Sequence, residues 1–223
     1  MLNLPRKDKD GNSYLSYSAI KAWTEPKGFS TGLLGRTEYI MGYFFNDTFG
    51  DDLGFAEFGS DVESYITERK CANKFDAKEK ATLEQIQPLG VFQHKFKLQF
   101  DGFYLLGYID DAKPDFSHIR DYKSCSRKSG KKYEEDDYFQ LDLYALACKQ
   151  EFGKLPKRLE VCCIGRSGNP FRGGGRGILK VEDDIWYIER KTDAKRLKAL
   201  EQTIIKTANE IAQYWEVFNK LNK

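Results

Sequence analysis

Two aspartates and a lysine between Gly107 and Arg127 are of the residue types that metal-assisted hydrolysis requires. Asp110 ends the β-like run LLGYID, and Asp121 lies in the run HIRDYK, two positions before Lys123. Side chains alternate along a strand, so Asp121 and Lys123 project from the same face. Two facing carboxylates can share a hard cation such as Mg²⁺ or Mn²⁺, and the lysine can orient or deprotonate an attacking water. The alternative is turn chemistry at Asp110 and a surface ion pair between Asp121 and Lys123.

A series of β-like segments positions these residues. The segment GVFQHKFKLQF alternates apolar and polar residues, and the Asp101-Gly102 pair that follows is a strong hairpin-turn signal. Asp110 and Asp121 lie in the second and third of the β-like runs, and adjacent pairing of these strands, about 4.8 Å apart, would bring the two carboxylates close together. We predict strands at 90–100, 103–110, 117–124 and 158–165, and one or two short strands within 178–188.

Segments with apolar residues at spacings of three and four accompany the strands. We predict helices at 16–23, 37–45, 55–69, 77–87, 137–152 and 192–221. This order predicts an α/β fold with a mixed central sheet flanked by helices, a helical N-terminal part and a long C-terminal helix. The chain has 223 residues and no linker-like stretch, so we predict a single domain over 1–223.

The composition argues against membrane and secreted proteins. No apolar run approaches the roughly 20 residues of a membrane-spanning helix, so no membrane is expected as a partner. The N-terminal segment lacks the apolar core of a secretory signal. The five cysteines are odd in number and include no CxxC pair. We therefore expect a cytoplasmic protein with reduced thiols.

The charged residues are unevenly distributed along the chain. The net charge of +2 gives no global attraction for nucleic acid. Between Lys154 and Lys180, however, seven Lys or Arg residues accompany a single acidic residue. A glycine-rich loop in this stretch carries Arg166, Arg172 and Arg176, which we predict to contact a DNA backbone. A plain flexible hairpin with solvated charges is the alternative.

Four short motifs follow one another along the chain. Gly-x-x-x-Glu ends at Glu63, Gly-Tyr-Ile-Asp at Asp110, Asp-Tyr-Lys at Lys123 and Gln-x-x-x-Tyr at Tyr144. With the helix start SYSAIKAW, they make residues 16–150 resemble the PD-(D/E)XK nuclease superfamily, in its RecB-type exonuclease branch with a lambda-exonuclease-like core. The resemblance implies that the predicted sheet and helices form a restriction-endonuclease-like core.

The resemblance also implies a metal centre. Asp110 and Asp121 would be metal ligands, joined by the backbone carbonyl of Tyr122 and by Glu63 from the preceding helix. Many RecB-type members carry His where this chain has Glu63, and a carboxylate is an acceptable ligand for a hard metal. The expected cofactor is Mg²⁺ or Mn²⁺.

The same resemblance implies the roles of the remaining site residues. Lys123 would be the catalytic lysine, acting with the carboxylates of Glu63, Asp110 and Asp121. Gln140 and Tyr144, four residues apart on one helix face, would hold the lysine and the DNA strand in place. The implied activity is metal-dependent hydrolysis of phosphodiester bonds in DNA by an exonuclease of recombination or DNA processing.

Two other functions and several partners stay open. The chain could be a structure- or site-specific endonuclease of the same fold, or an inactive nuclease fold that serves as a nucleic-acid-binding or interaction module. Intact Asp110, Asp121 and Lys123 argue against the inactive form.

The cysteines are not clustered, so no iron–sulfur cluster is expected. No GxxxxGK[ST] loop is present, so a helicase or other recombination partner would be a separate protein. Ring assembly is known for some relatives, which leaves a homo-oligomer open.

Overall fold

The structure is a computed structural model. It describes residues 2–24, 54–135, 138–169 and 175–221. The helix predicted at 37–45 lies outside the described residues, and so does Arg172.

The chain divides into two compact units. The first consists of Met1–Gly50, Lys95–Tyr108 and Asp193–Lys223, and the second of Asp51–His94 and Ile109–Thr192. All of the predicted metal-site residues belong to the second unit. The single domain over 1–223 stays a prediction.

The described residues form an α/β fold with one mixed sheet and a long C-terminal helix, as predicted. The helices are α1 (Tyr17–Thr24), α2 (Phe55–Glu68), α3 (Ala77–Leu83), α4 (Arg127–Gly130), α5 (Gln140–Phe152) and α6 (Ala194–Leu221). The six strands of the sheet are β1 (Tyr14–Ser16), β2 (Val91–Phe100), β3 (Phe103–Ala112), β4 (His118–Cys125), β5 (Arg158–Ser167) and β6 (Lys180–Arg190).

Strand β1 and the short helix α4 were not predicted from the sequence, and two predicted elements differ in extent. The helix predicted at 77–87 ends at Leu83, because the chain tightens and the backbone N–H of Ile86 donates to the Leu83 carbonyl. Pro88 also disfavours helical backbone at the residue before it. Instead of one or two short strands within 178–188, a 3₁₀ turn at Gly175–Ile178 leads into the eleven-residue β6.

Strand pairing in the second unit determines which residues are neighbours. The ends of β3 and β4 pair antiparallel, with Asp111 opposite Arg120. Along its whole length β4 pairs in parallel with β5, which places Lys123 opposite Cys163. The antiparallel pairing of β5 with β6 shifts register between Ile164 and Arg166. Such an irregularity bends a strand and redirects a side chain.

The core of the second unit fixes α2 against the sheet. Phe58, Val62 and Ile66 follow the predicted helical spacing and are each at most 1% exposed. They share an apolar cluster with Tyr122 of β4 and Ile164 of β5. Burying such side chains stabilises a fold by about 1.5–3 kcal/mol each. The cluster therefore places α2, and Glu63 on it, beside β4.

The first unit joins the two terminal parts of the chain. The indole Nε1 of Trp23 on α1 donates to Glu210 on α6 at 2.5 Å, and its ring meets Tyr214 edge-on. Gly107 of the Gly-Tyr-Ile-Asp motif lies so close to Phe96 that a Cβ at this position would overlap the phenyl ring. A helix long and apolar enough to cross a membrane does not occur in the described ranges.

Candidate active site

A groove of about 510 Å³ opens in the second unit between α2, β3, β4 and β5. Glu63 enters it from α2, Asp110 from β3, and Tyr122 and Lys123 from β4. The structure therefore brings together four of the residues that the motifs single out. Lys132 and Arg166 also line the groove, so basic side chains accompany the carboxylates.

Asp121 and Lys123 project to the same face of β4 and form an ion pair, with Nζ 2.6 Å from Oδ2. The Asp121 side chain is fully buried, whereas that of Lys123 is 24% exposed. This is not the surface pair that the sequence left as an alternative. Burial alone would lower the pKa of Lys123, but the neighbouring carboxylates of Asp121 and Asp110 raise it overall. The lysine is therefore an ammonium ion at neutral pH while no other cation lies beside these carboxylates.

Asp110 is held at the groove by the backbone of the adjacent strand. Its Oδ2 accepts a hydrogen bond from the Tyr122 N–H at 3.1 Å. Burial, and then the negative charges of Asp121 and Glu63, raise the pKa of Asp110 well above its usual value, against the opposing effect of Lys123. The ionised carboxylate thus carries an electrostatic cost that a second cation would remove.

Glu63 faces the same carboxylates from the helix. Its Oε1 accepts a hydrogen bond from the side-chain amide of Gln93. Burial raises the pKa of Glu63, the Gln93 bond opposes this rise, and the charge of Asp121 adds to it. Glu63 and Asp110 therefore meet the same destabilising combination of burial and like charge.

Asp111, adjacent to Asp110, has a different environment. It is fully buried and accepts hydrogen bonds from the backbone N–H groups of Leu89 and Gly90 and, at 2.7 Å, from the hydroxyl of Tyr122. These bonds fix the turn that precedes β2. Asp111 does not line the groove and its oxygens are satisfied by protein donors, so we interpret it as a structural residue.

A hydrogen-bond network of three side chains in and before α5 leads to Asp121. The Tyr144 hydroxyl donates to Asp121 Oδ1 at 3.3 Å and accepts from Gln140 Nε2 at 2.7 Å. Tyr138 places its hydroxyl 3.1 Å from Asp121 Oδ2 and 3.0 Å from Gln140 Oε1. The sequence predicted that Gln140 and Tyr144 hold Lys123. In the structure their hydrogen bonds lead instead to Asp121, the ion-pair partner of Lys123.

Tyr138 was not identified from the sequence. It lies outside the Gln-x-x-x-Tyr motif, in the segment just before α5, and is 4% exposed. Its single phenolic proton can serve only one of the two acceptors at a time. Tyr138 can therefore donate to Asp121 in one arrangement and to Gln140 in another, which makes it a positioning residue for Asp121.

If Asp121 is a metal ligand as predicted, we expect Tyr138→Phe to lower the rate of any phosphodiester cleavage at this site by about 10- to 100-fold, the usual effect of removing a partner that orients a ligand. Tyr65→Phe is the matched control, because Tyr65 also donates its hydroxyl to a carboxylate, that of Glu84, at 2.7 Å. Single-turnover cleavage measures the effect. Equal rates for the two variants would show that Tyr138 does not position Asp121.

A hard divalent cation fits the donor set in this groove. The side chains offer oxygen atoms, which Mg²⁺ and Mn²⁺ prefer, and the mutual repulsion of Asp110, Asp121 and Glu63 favours a cation between them. As the side chains stand, no three His, Cys, Asp or Glu residues within the described ranges converge closely enough to hold a metal ion. The three carboxylates would have to exchange bonds to Lys123, Gln93 and Tyr122 for bonds to the ion.

The three arginines predicted to contact DNA have different positions. Arg166 lines the groove, with its guanidinium 4.1 Å above the ring of Phe55. Arg176 donates from Nε to Asp61 at 2.8 Å and lies over the Phe58 ring, so its guanidinium already has an acidic partner. Arg172 lies outside the described residues. A role on DNA stays a prediction for all three, and the geometry favours Arg166.

A known family matches the part of the chain that contains the groove. Residues 49–220 match the family model of the PD-(D/E)XK nuclease superfamily. This chain belongs to the PD-(D/E)XK nuclease superfamily. The match includes the groove, α5 and most of α6. The RecB-type branch within the superfamily stays a prediction.

The fold is also similar to that of a solved structure. This is the crystal structure of a protein from Eubacterium rectale that is provisionally named an exonuclease. The TM-score is 0.54 at 16% sequence identity, over 89% of this chain and 82% of that chain. At this identity the similarity supports the restriction-endonuclease-like fold alone. Among curated proteins, none matches the sequence significantly.

Proposed function

We propose that this chain hydrolyses phosphodiester bonds in DNA with Mg²⁺ or Mn²⁺, and that it acts as an exonuclease in recombination or DNA processing. The observation that carries the proposal is the ion pair between the buried Asp121 and Lys123, in a nuclease fold whose groove is lined by Lys123, Asp110 and Glu63. Carboxylates that repel each other persist in a fold where function requires them.

In this proposal each residue of the groove has a chemical role. Asp110 and Asp121, with Glu63 and the Tyr122 carbonyl, would hold the ion. When bound, the ion supplies Lewis acidity and lowers the pKa of a water molecule. Lys123 remains close to Asp121, orients the attacking water and offsets the negative charge of the phosphate. Asp121 interacts with both Lys123 and the ion, and it is kept in place by Tyr138, Gln140 and Tyr144.

The experiment that tests the proposal compares an end-labelled linear DNA with a closed circular DNA, each incubated with Mg²⁺, Mn²⁺ or EDTA. We expect metal-dependent loss of the linear DNA alone. Nicking of the circle would support the endonuclease instead. Binding of DNA without cleavage under any condition would support the inactive nuclease fold and overturn the proposal.

A further inference from the structure

Arg166 has an environment that the proposed chemistry at the carboxylates does not explain. It lies near the C-terminal end of β5, lines the groove that contains Lys123, and is half-buried. Its guanidinium stacks on Phe55 with 4.1 Å between the central carbon and the ring centroid. A planar cation fixed on an aromatic ring is held in one orientation, with its edge left to donate hydrogen bonds.

The strand itself directs Arg166. The register between β5 and β6 shifts between Ile164 and Arg166, so regular alternation is interrupted just before the arginine. Irregularities of this kind occur next to active sites, where they redirect a side chain. The position of Arg166 in the groove is thus determined by the backbone as well as by its contact with Phe55.

The charge of Arg166 is not balanced within the described parts of the chain. Burial lowers the pKa of Arg166, and no carboxylate from these residues opposes that effect. The comparable arginine Arg127, stacked 4.2 Å above Trp186, forms two hydrogen bonds with Asp184 at 2.5 and 2.8 Å. Partial burial of a cation without an acidic partner is costly, so an anion from outside the described residues would stabilise Arg166.

We propose that Arg166, stacked on Phe55, forms a phosphate-binding subsite for a nucleic-acid chain, distinct from the phosphate that is cleaved at Lys123. The inference rests on the proposed function, because the groove must take a polynucleotide. A guanidinium presents paired donors that match phosphate oxygens. With Lys123 beside the carboxylates and Arg166 on the neighbouring strand, the groove holds two phosphates of one chain. It therefore selects a polynucleotide over a small phosphodiester.

The test measures kcat/KM for cleavage of a labelled oligonucleotide at fixed Mg²⁺ over a series of NaCl concentrations. A protein that contacts one phosphate fewer loses about 0.7 to 0.9 from the slope of log affinity against log salt. For Arg166→Gln we expect a roughly tenfold higher KM and a salt slope shallower by about that amount. For Arg127→Gln, the matched control, we expect the wild-type slope.

A second variant distinguishes the subsite from simple damage to the fold. Arg166→Lys keeps the charge and loses the planar stack, so it should retain the wild-type salt slope with a raised KM. Equal slopes and KM values for Arg166→Gln and the wild type would overturn the subsite. If the wild-type protein itself cleaves no nucleic acid, the proposed function fails first, and the subsite fails with it.

Discussion

Replacing Lys123 with alanine is expected to reduce DNA cleavage by about 100- to 10,000-fold, the range for losing a group that transfers or orients a proton. The ammonium contacts the buried Asp121 at 2.6 Å, and its charge opposes the rise in the pKa values of Asp110 and Glu63. Without it, the attacking water loses its orienting partner and the phosphate loses a neutralising charge. Single-turnover cleavage measures the loss, and circular dichroism monitors the fold.

The control for this variant is Lys128→Ala. Lys128 is an exposed residue of the short helix α4 in the same unit, so its loss should leave the rate near that of the wild type. The cleavage rate of Gln140→Ala should lie between those of the two variants, because Gln140 bonds to Tyr144 and Tyr138, which in turn contact Asp121. If Lys123→Ala cleaved DNA at the wild-type rate, or if the variant were unfolded, the catalytic role proposed for Lys123 would be wrong.

Asp110→Asn is expected to abolish cleavage and, at the same time, to stabilise the metal-free protein. The pKa of Asp110 is raised in the folded protein, so at neutral pH its ionised form lowers the free energy of unfolding. Asparagine removes the charge and keeps an oxygen for the Tyr122 N–H. We expect a gain of about 1–2 kcal/mol, within the range of single stabilising substitutions. For a chain of this size that is about 2–4 °C in Tm for each kcal/mol.

The neighbouring residue gives the control with the opposite sign. Asp111 accepts from two backbone N–H groups and from the Tyr122 hydroxyl, and an amide cannot accept all of these bonds. We expect Asp111→Asn to lower stability by about 1–3 kcal/mol. Thermal unfolding in EDTA at pH 7 measures both variants. If Asp110→Asn were destabilised like Asp111→Asn, the proposed repulsion between the groove carboxylates would be wrong.

The strand pattern and the motifs predicted the placement of the central residues. Alternation along β4 placed Asp121 and Lys123 on one face, and the structure shows them as an ion pair. The hairpin signal at Asp101-Gly102 located β2 and β3. The structure explains the glycine at position 107, because the Phe96 ring occupies the space that a side chain would need. These features depend on local spacing, which a sequence displays directly.

Other features depend on contacts between residues that are distant in sequence. Tyr138 contacts Asp121, 17 positions earlier, and its spacing from the motifs does not indicate this contact. Arg166 lies in β5 rather than in the predicted loop, and Arg176 bonds to Asp61, 115 positions earlier. The sequence therefore did not show that the two arginines have different environments. The early end of α3 depends in part on Pro88 and on the cap that Asp111 provides for the following turn.

The proposed metal site is best tested by locating Mn²⁺ in crystals of the protein from its anomalous scattering. We expect a peak bonded to carboxylate oxygens of Asp110 and Asp121, and the loss of this peak in Asp110→Asn. If the protein cleaves DNA with Mn²⁺ but binds the ion at other residues, the proposed metal site is wrong.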